Sequence, residues 1–310
     1  MMPMKTLLWM MALAVMLAGC AENEDVEPSG RPEATDLPVV YVSNYPLKYF
    51  AERIAAPWAD IRLPVPEGED PAFWKPKPEA IQAMQRADLV VLNGASYESW
   101  LKTVSLPPSR LINTTTGFND RLIPLAERTT HSHGLEGEHE HSGTAFTTWL
   151  DLNLAVEQVR AIIDAFSTRW PDHATPFKQA AEALERDLQL LDEQMVNIVR
   201  GAPDRPVLFS HPVYQYVQRR YGINGRSVHW EPDAMPDAVM WQALADLISE
   251  HPAKWMIWEG RPLPEIATRL ESMGIQSVVF DPCASIPSQH DFLSMMQRNV
   301  EALRVVFEDH

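Results

Sequence analysis

Strand and helix signals alternate in two halves of the chain, on either side of a long helical stretch, and this order constrains the fold most. Apolar runs rich in β-branched residues, beginning with 39–43, are each followed by an apolar pattern of helical period. The same rhythm returns from 207–210 onward. Short strands that alternate with helices are typical of parallel α/β sheets. The sequence therefore predicts an α/β fold of two lobes, 38–170 and 202–310, each built around a parallel sheet.

Residues 151–200 contain no glycine and keep an apolar stripe at helical spacing, although Pro171 and Pro176 interrupt it. A single helix of about twenty-five residues from Pro176 would be roughly 37 Å long, at the usual rise per residue. The alternative is a pair of helices packed within one domain. We predict a linking helix over 171–201 and a ligand cleft between the lobes, because ligands of such sheets bind at the carboxyl ends of the strands.

A positive charge, an apolar run and a cysteine come in the order of a bacterial lipoprotein signal peptide, over residues 1–20. Lys5 precedes about eleven apolar residues, too few for the roughly twenty that a membrane-spanning helix needs. The run ends in Leu-Ala-Gly-Cys, which resembles a lipobox and predicts acylation of Cys20. The alternative is a buried helix that ends at Gly19. We expect an exported protein whose acidic segment 21–37 is a flexible tether to a bacterial membrane, facing the periplasm or the cell exterior.

The overall charge and the cysteine content exclude several classes of protein. A net charge of −16 disfavours nucleic acid as a partner, since phosphate binding needs clustered Lys and Arg, but it favours the attraction of cations. The two cysteines are Cys20 and Cys283, so acylation of Cys20 leaves Cys283 without an intramolecular partner. Gly-x-Ser-x-Gly, His-Glu-x-x-His and glycine-rich phosphate motifs do not occur. We predict no enzyme activity, with a hydrolase that uses cleft carboxylates as the alternative.

Ligand-type side chains follow the predicted strands of the second half. His211 comes directly after the run 207–210, and Asp281 ends the run 277–281. Glu259 ends the strand between them. Imidazole and carboxylate groups are ligands of divalent transition metals. We predict that His211 and Asp281 are metal ligands in a common cleft, while the alternative for His211 is a structural histidine. Glu259 is a further candidate ligand.

A second candidate group lies in the segment 229–233, which reads His-Trp-Glu-Pro-Asp. His229 and Glu231 point to the same side if this segment is extended, because side chains alternate along extended backbone. Both are therefore candidate metal ligands. The alternative is a surface loop whose Trp230 packs on the domain.

Residues 127–143 break the α/β rhythm with a polar, glycine-containing stretch that holds four of the ten histidines. Neutral imidazoles bind zinc, copper and nickel. A flexible loop loses entropy when a metal orders it, so such a segment binds weakly and exchanges fast. We predict a metal-recruiting loop rather than the tight site, and the alternative is a solvated linker. Its candidate ligands are His131, His133, His139 and His141.

In the order of its segments the chain resembles the zinc and manganese substrate-binding lipoproteins of bacterial ABC transporters, the cluster-nine family with a helical backbone. The likeness covers almost the whole chain from Val39 to Val306. It is carried by Ser43-Asn44-Tyr45-Pro46-Leu47, Asp70-Pro71, residues 87–94, Trp149-Leu150-Asp151, Ser210-His211, Tyr221-Gly222, Glu231-Pro232, Asp281-Pro282 and the histidine-rich loop before Trp149. The resemblance implies two α/β lobes bridged by one long helix and one metal ion in the cleft.

Two cleft positions depart from this family. A histidine is expected after Asp70-Pro71, where the chain has Ala72, and another two residues before Trp149, where it has Thr147. Two of four expected ligands are thus missing. Either other groups supply them (the loop, His229, Glu231 or Glu259) or the bound species is not the usual ion. Aromatic residues expected near the cleft leave room for an organic ligand or a metal chelate; these are Tyr45, Phe73, Trp74, Tyr97, Trp149 and Trp230.

The resemblance implies a lipid-anchored, monomeric solute-binding protein that hands its cargo to an ABC transporter permease. Zinc is the expected metal, with manganese or another divalent transition metal as alternatives. Two further hypotheses keep the same fold. One is a periplasmic metal chaperone or accessory protein that docks on another protein, and the other is a receptor for a metal chelate or another small ligand.

Overall fold

The computed structural model describes residues 37–125, 129–132, 138–141 and 143–308. The predicted signal peptide, Cys20 and the tether up to residue 36 therefore lie outside the described residues. Within the described ranges, no helix is both long and apolar enough to cross a membrane.

The N-terminal lobe is a sheet of four parallel strands in the order β2-β1-β3-β4. β1 and β3 are its central strands, and their apolar side chains are buried on both faces, as is usual for parallel sheets. The bounds are β1 Val39–Val42, α1 Tyr45–Ala55, β2 Asp60–Arg62, α2 Pro78–Arg86, β3 Leu89–Leu92 and β4 Leu111–Asn113. Asn44 begins α1 by accepting a 3.0 Å hydrogen bond from the Leu47 N–H.

A short antiparallel hairpin follows, made of β5 Thr129–Ser132 and β6 Glu138–His141. It carries the backbone of His131, His139 and His141, with His131 paired to His139. His133 and the side chains of these three histidines lie outside the described part of the chain, so metal binding by the four loop histidines stays a prediction.

Two helices connect the lobes in sequence, α3 Leu152–Arg169 and α4 Ala174–Arg200. α4 has 27 residues and is about 40 Å long at the usual rise per residue. It packs against α1 and α3 on one side and against two helices of the second lobe on the other. Its buried stripe repeats at helical spacing and consists of Phe177, Ala181, Leu184, Leu188, Leu191, Met195 and Ile198. One long helix therefore serves both lobes.

The C-terminal lobe repeats the four-stranded parallel plan, in the order β10-β9-β7-β8. Its bounds are β7 Val207–Phe209, α5 Gln215–Tyr221, β8 Gly225–Ser227, α6 Ala238–Glu250, β9 Trp255–Trp258, α7 Pro264–Ser272, β10 Gln276–Val279 and α8 Phe292–Glu308. α5 and α8 are the helices that reach α4. Two parallel-sheet lobes that share a long helix confirm the predicted fold class.

Residues 211–214 depart from the expected secondary structure. The apolar pattern predicts a helix from His211 to Tyr221, but α5 begins only at Gln215. Pro212 disfavours helical backbone at the residue before it, and the Val213 N–H closes a tight turn on the His211 carbonyl at 2.9 Å. The helix ends where expected, at Gly222, whose positive φ of 69° suits glycine. His211 thus lies in a turn at a strand end rather than on a helix.

Candidate metal centre

The strand order of the C-terminal sheet determines which ligand-type side chains become neighbours. His211 follows β7, Glu259 follows β9 and Asp281 follows β10, all at the same edge of the sheet because the strands are parallel. β7 lies between β8 and β9, so the segment after β8, which carries Glu231, also borders His211. Asp281 follows the outermost strand and is separated from β7 by β9.

Three of the predicted residues come together as a group of metal-ligand type. One donor atom each from His211, Glu231 and Glu259 lies within 4.8 Å of the others. The Nδ1 atom of His211 is 3.5 Å from the Oε1 atom of Glu231. His211 is buried, and both glutamates are half-buried. The group therefore offers one imidazole and two carboxylates to a cation, in a place with limited access to water.

Backbone hydrogen bonds and tryptophan packing hold this group in position. The Ser210 N–H donates to the Ile257 carbonyl at 2.9 Å, and the Trp230 N–H donates to the Ser210 carbonyl at 2.8 Å. Trp230 is buried against Trp241 and Trp258, with ring centroids 4.6 and 6.3 Å away. The tryptophan thus packs on the domain, as one interpretation of the segment predicted, and its neighbour Glu231 is at the same time placed beside His211.

His229 and Asp281 lie close to this group but do not belong to it. The rings of His229 and His211 are 6.1 Å apart. Burial lowers the pKa of His229, although the nearby Glu231 carboxylate opposes the shift. Asp281 Oδ1 accepts a 2.7 Å hydrogen bond from the Cys283 N–H, and burial raises the pKa of its carboxyl group. The pairing of His211 with Asp281 as cleft ligands stays a prediction, while Glu259 and Glu231 are the carboxylates beside the imidazole.

The cleft between the lobes contains a cavity of about 110 Å³. Its wall on the C-terminal side includes His211 and Glu259. Ala72 and Thr147, the two positions where the resemblance implies histidine, lie on the same cavity. Thr147 Oγ1 donates a 2.6 Å hydrogen bond across the cleft to the Val213 carbonyl. The residues that replace the expected histidines thus supply apolar surface and a contact between the lobes instead of metal ligands.

The N-terminal side of the cavity is mainly aromatic. Tyr97 packs edge-on against Phe146 and Trp149, with ring centroids 5.2 and 5.8 Å away. Phe73 lines the cavity as well. Of the aromatic residues expected near the cleft, Phe73, Tyr97 and Trp149 are confirmed as lining residues. Trp74 instead packs against Trp100 in a separate cluster of the lobe. Phe146 was missed, although it directly precedes Thr147.

A second, open cavity spans the two lobes at the mouth of the cleft. Four carboxylate side chains line it: Glu69, Asp70, Glu259 and Asp281. Glu259 and Asp70 line the aromatic cavity too. A cleft whose entrance carries one sign of charge concentrates ions of the opposite sign. The acidic mouth therefore favours the approach of cations to the buried group.

Polar residues at the strand ends of the N-terminal lobe serve the fold. Glu98 accepts hydrogen bonds from the Asn93 and Gly94 N–H groups at 2.6 and 3.1 Å. Asn93 donates to the Phe146 carbonyl at 2.9 Å, and its own side-chain oxygen accepts from Gln158 at 3.1 Å. These side chains bond to one another and to backbone groups inside the lobe, so their polar atoms are used by the fold.

Two α/β lobes on a shared long helix, with a ligand-type cluster at the strand ends in the cleft, define a helix-bridged solute-binding protein. The chain belongs to the family described as zinc-uptake complex component A, periplasmic (ZnuA), whose sequence model matches residues 40–306. The resemblance seen in the sequence is thereby confirmed.

The zinc-binding lipoprotein AdcA of Streptococcus pneumoniae TIGR4 is 24% identical over 306 residues, which cover 95% of this chain. The chain spans only 61% of that relative's length. The high-affinity zinc uptake system protein ZnuA of Bacillus subtilis 168 is 24% identical over 317 residues, with 96% of each chain covered.

Solved structures show the same fold. Zn(II)-bound AdcA from S. pneumoniae superimposes with a TM-score of 0.74 at 21% identity, covering 88% of this chain and 58% of that one. The metal-dependent lipoprotein YcdH from B. subtilis gives a TM-score of 0.74 at 22% identity, covering 87% and 99%.

Proposed function

We propose that the protein captures a divalent transition metal, zinc foremost, outside the cytoplasm and delivers it to the permease of an ABC importer. The observation that carries this proposal is the group formed by His211, Glu231 and Glu259, whose donor atoms lie within 4.8 Å of one another. Membership of a family described by zinc uptake supports zinc as the cargo.

The chemistry of the three side chains suits such an ion. Zinc takes imidazole nitrogen and carboxylate oxygen ligands, and sites with three protein ligands leave one position open. Two carboxylates held close together in a half-buried place repel each other, and a divalent cation between them removes that cost. An imidazole ligand favours zinc and its neighbours in the transition series over magnesium or calcium, which prefer oxygen ligands alone.

All three proposed ligands come from the C-terminal lobe, and this affects how the metal can be released to a permease. Separation of the lobes would expose the ion to water and to a partner without first breaking the group apart. The N-terminal lobe would then act as a cover whose contacts, such as the one from Thr147 to Val213, control access. This arrangement suits a receptor that must release its cargo to a permease.

Export, attachment through Cys20 and work as a monomer complete the proposal. The names of relatives that are lipoproteins support the anchor predicted from the sequence. A Cys20→Ser variant should remain exported yet partition into the soluble fraction, whereas the unaltered protein should incorporate labelled fatty acid. Incorporation of label by the Cys20→Ser variant would contradict acylation at Cys20.

Direct measurement of zinc binding tests the metal site. The purified protein without a His-tag should bind zinc with a stoichiometry of one at the tight site, measured by competition with a chromophoric chelator. His211→Ala, Glu231→Gln and Glu259→Gln should each weaken binding by at least about tenfold, the effect expected for losing one strong ligand interaction. Glu265→Gln, on the exposed face of α7, is the matched control.

The same measurement separates the two possible carboxylate sets. Asp281→Asn should change zinc affinity much less than Glu259→Gln, because Asp281 lies outside the group around His211. The opposite ranking would assign the site to His211 and Asp281. Full zinc affinity in the His211→Ala variant would remove the proposed centre altogether.

A further inference from the structure

The aromatic cavity beside the metal group has features that the capture of a bare ion does not need. It is a partly open space between the lobes, and its wall contains two of the proposed metal ligands, His211 and Glu259, together with aromatic rings. Apolar cavities of about 150 Å³ can hold a benzene ring, and this one measures about 110 Å³. A flat ring of five atoms is therefore of the right size.

The hydroxyl group of Tyr97, a residue of this wall, is evidence for a ligand in the cavity. The Tyr97 side chain is only 2% exposed, and its hydroxyl group has no hydrogen-bond partner within the part of the chain that the structure describes. Buried hydroxyl groups are normally hydrogen-bonded, because an unpaired one loses its hydrogen bonds to water and gains none within the protein. The hydroxyl group belongs to a residue that lines the cavity, so a molecule in the cavity can supply its partner.

The metal group also has room for another donor on this side. Three protein ligands leave zinc one coordination position short of four. Ala72 and Thr147 of the N-terminal lobe line the same cavity, and the Thr147 hydroxyl group donates to the Val213 carbonyl. A fourth donor that enters the cavity would therefore lie between the metal and the aromatic wall.

Resting on the proposed zinc function, we infer that the protein binds zinc together with a small, uncharged aromatic nitrogen base of the imidazole class, held in the cavity against Tyr97. Neutral imidazole has one nitrogen lone pair for the metal and one N–H group to donate to the Tyr97 hydroxyl oxygen. Its flat ring can pack in the cavity against aromatic lining residues such as Phe146 and Trp149. Among the described residues, no lysine or arginine lines the cavity, while Asp70 and Glu259 do, so an anionic co-ligand is disfavoured.

The test measures zinc affinity at a constant free zinc concentration, set by a metal buffer, with and without imidazole. Imidazole should tighten zinc binding by at least about tenfold, the change that one additional metal bond and a paired hydroxyl group can produce. Acetate at the same concentration should have no such effect. In the cobalt-loaded protein, imidazole should shift the visible ligand-field bands, which reports a new donor on the metal.

Two variants locate the effect in the cavity. Tyr97→Phe removes only the hydroxyl group and should reduce the enhancement by imidazole at least about threefold, a fraction of one hydrogen bond's contribution, without changing zinc affinity in its absence. Ala72→Phe fills the cavity and should abolish the enhancement. Tyr41→Phe, in β1 and away from the cavity, is the matched control.

A third variant distinguishes a free base from imidazoles of the chain itself. Replacement of His131, His133, His139 and His141 by glutamine removes the loop histidines as competing donors, and imidazole should still tighten zinc binding. An enhancement seen only in this variant, and not in the unaltered protein, would mean that no free base is taken up. Zinc that binds through His211 with no response to imidazole would overturn the inference, whereas absence of zinc binding would overturn the proposed function itself.

Discussion

The Thr147 hydroxyl group of the N-terminal lobe donates a 2.6 Å hydrogen bond to the Val213 carbonyl of the C-terminal lobe, two residues after His211. A second bond of 2.7 Å joins the Trp149 indole N–H to the Pro282 carbonyl across the same cleft. Neither donor belongs to the proposed metal group. Closure of the lobes and binding of the metal can therefore be altered separately by mutation.

Thr147→Val should loosen the closed cleft while leaving the metal ligands intact. The change keeps the side-chain shape and removes one hydrogen bond, so stability should fall by about 1 kcal/mol in urea unfolding. Zinc should dissociate up to about fivefold faster in stopped-flow chelator chase, the factor that corresponds to 1 kcal/mol. Thr268→Val, on the exposed face of α7, is the control. An unchanged dissociation rate would show that this bond does not control access.

Ala72→His combined with Thr147→His should strengthen zinc binding. Both positions line the cavity that His211 and Glu259 also line, so two imidazoles placed there lie on the open side of the metal group. We expect zinc affinity, measured by competition with a chelator, to rise at least about tenfold, the gain expected from one additional metal ligand. The single changes are the controls. A double variant with unaltered affinity would show that the lobes hold these positions too far from the ion.

The loop histidines should affect the rate of metal capture more than its equilibrium. Replacement of His131, His133, His139 and His141 by glutamine removes the imidazoles but keeps the loop length. Zinc association from a dilute solution should slow, because a weak and rapidly exchanging collector is lost. Equilibrium affinity should stay within about threefold, since these histidines are predicted to recruit the metal and not to be ligands of the tight site. A large loss of affinity would place these histidines in the tight site.

Asp192→Ala should weaken the contact between the C-terminal lobe and the long helix α4, and so lower the free energy of unfolding. The Asp192 carboxylate on α4 is buried, pairs with the Arg220 guanidinium of α5 and accepts a 3.2 Å hydrogen bond from the Tyr221 hydroxyl group. Removal of one partner from such a pair costs about 3 kcal/mol, at the lower end of the usual range because Arg220 keeps partial exposure. Urea unfolding measures this loss. Arg304→Ala, in an exposed pair of α8, should change stability by less than about 0.5 kcal/mol.

Glu98 should make the stability of the protein depend on pH. Burial raises the pKa of its carboxyl group above the ordinary value of 4.5, although the Asn93 and Gly94 N–H groups oppose the shift. The folded state therefore holds the proton more tightly than the unfolded state. The contribution of Glu98 to stability is greatest below pH 4.5 and falls as the pH rises through the folded-state pKa.

The variant Glu98→Gln tests whether the contribution of Glu98 to stability falls as the pH rises. Glutamine cannot ionise, so the difference in unfolding free energy between the unaltered protein and the variant should shrink as the pH rises through this window. The variant should be less stable at low pH, because its amide NH₂ group would face a backbone N–H donor. A difference that grows with pH would mean that the carboxylate is stabilised in its ionised form.

Much of the fold follows from local patterns in the sequence. Buried parallel strands such as Val39–Val42 and Leu89–Leu92 are short runs of β-branched residues, and the stripe in Ala174–Arg200 repeats at helical spacing over its whole length. These patterns depend only on neighbours along the chain. The turn at His211 could not be placed in this way, because an apolar helical pattern continued through it and only Pro212 opposed it.

The order of strands in the sheet, and not the sequence of any one strand, determines which residues form the proposed metal group. His211, Glu259 and Asp281 all follow strands, and the sequence predicts Asp281 as the carboxylate partner of His211, with Glu259 as a further candidate. The sheet places β9 beside β7 and puts β10 at the far edge, so Glu259 becomes the neighbour of His211. Glu231 joins them because β8 pairs with the other side of β7.

The sequence by itself determined the two α/β halves, the long helix between them, the membership of the family and the absence of histidine at positions 72 and 147. Each of these rests on residue identity or on periodicity along the chain. Only the tertiary structure decided that the two departures line one cavity with His211, and that Tyr97 lines it too, with a buried hydroxyl group that has no hydrogen-bond partner among the described residues. Contacts between distant segments depend on how the lobes pack, and no local pattern encodes that packing.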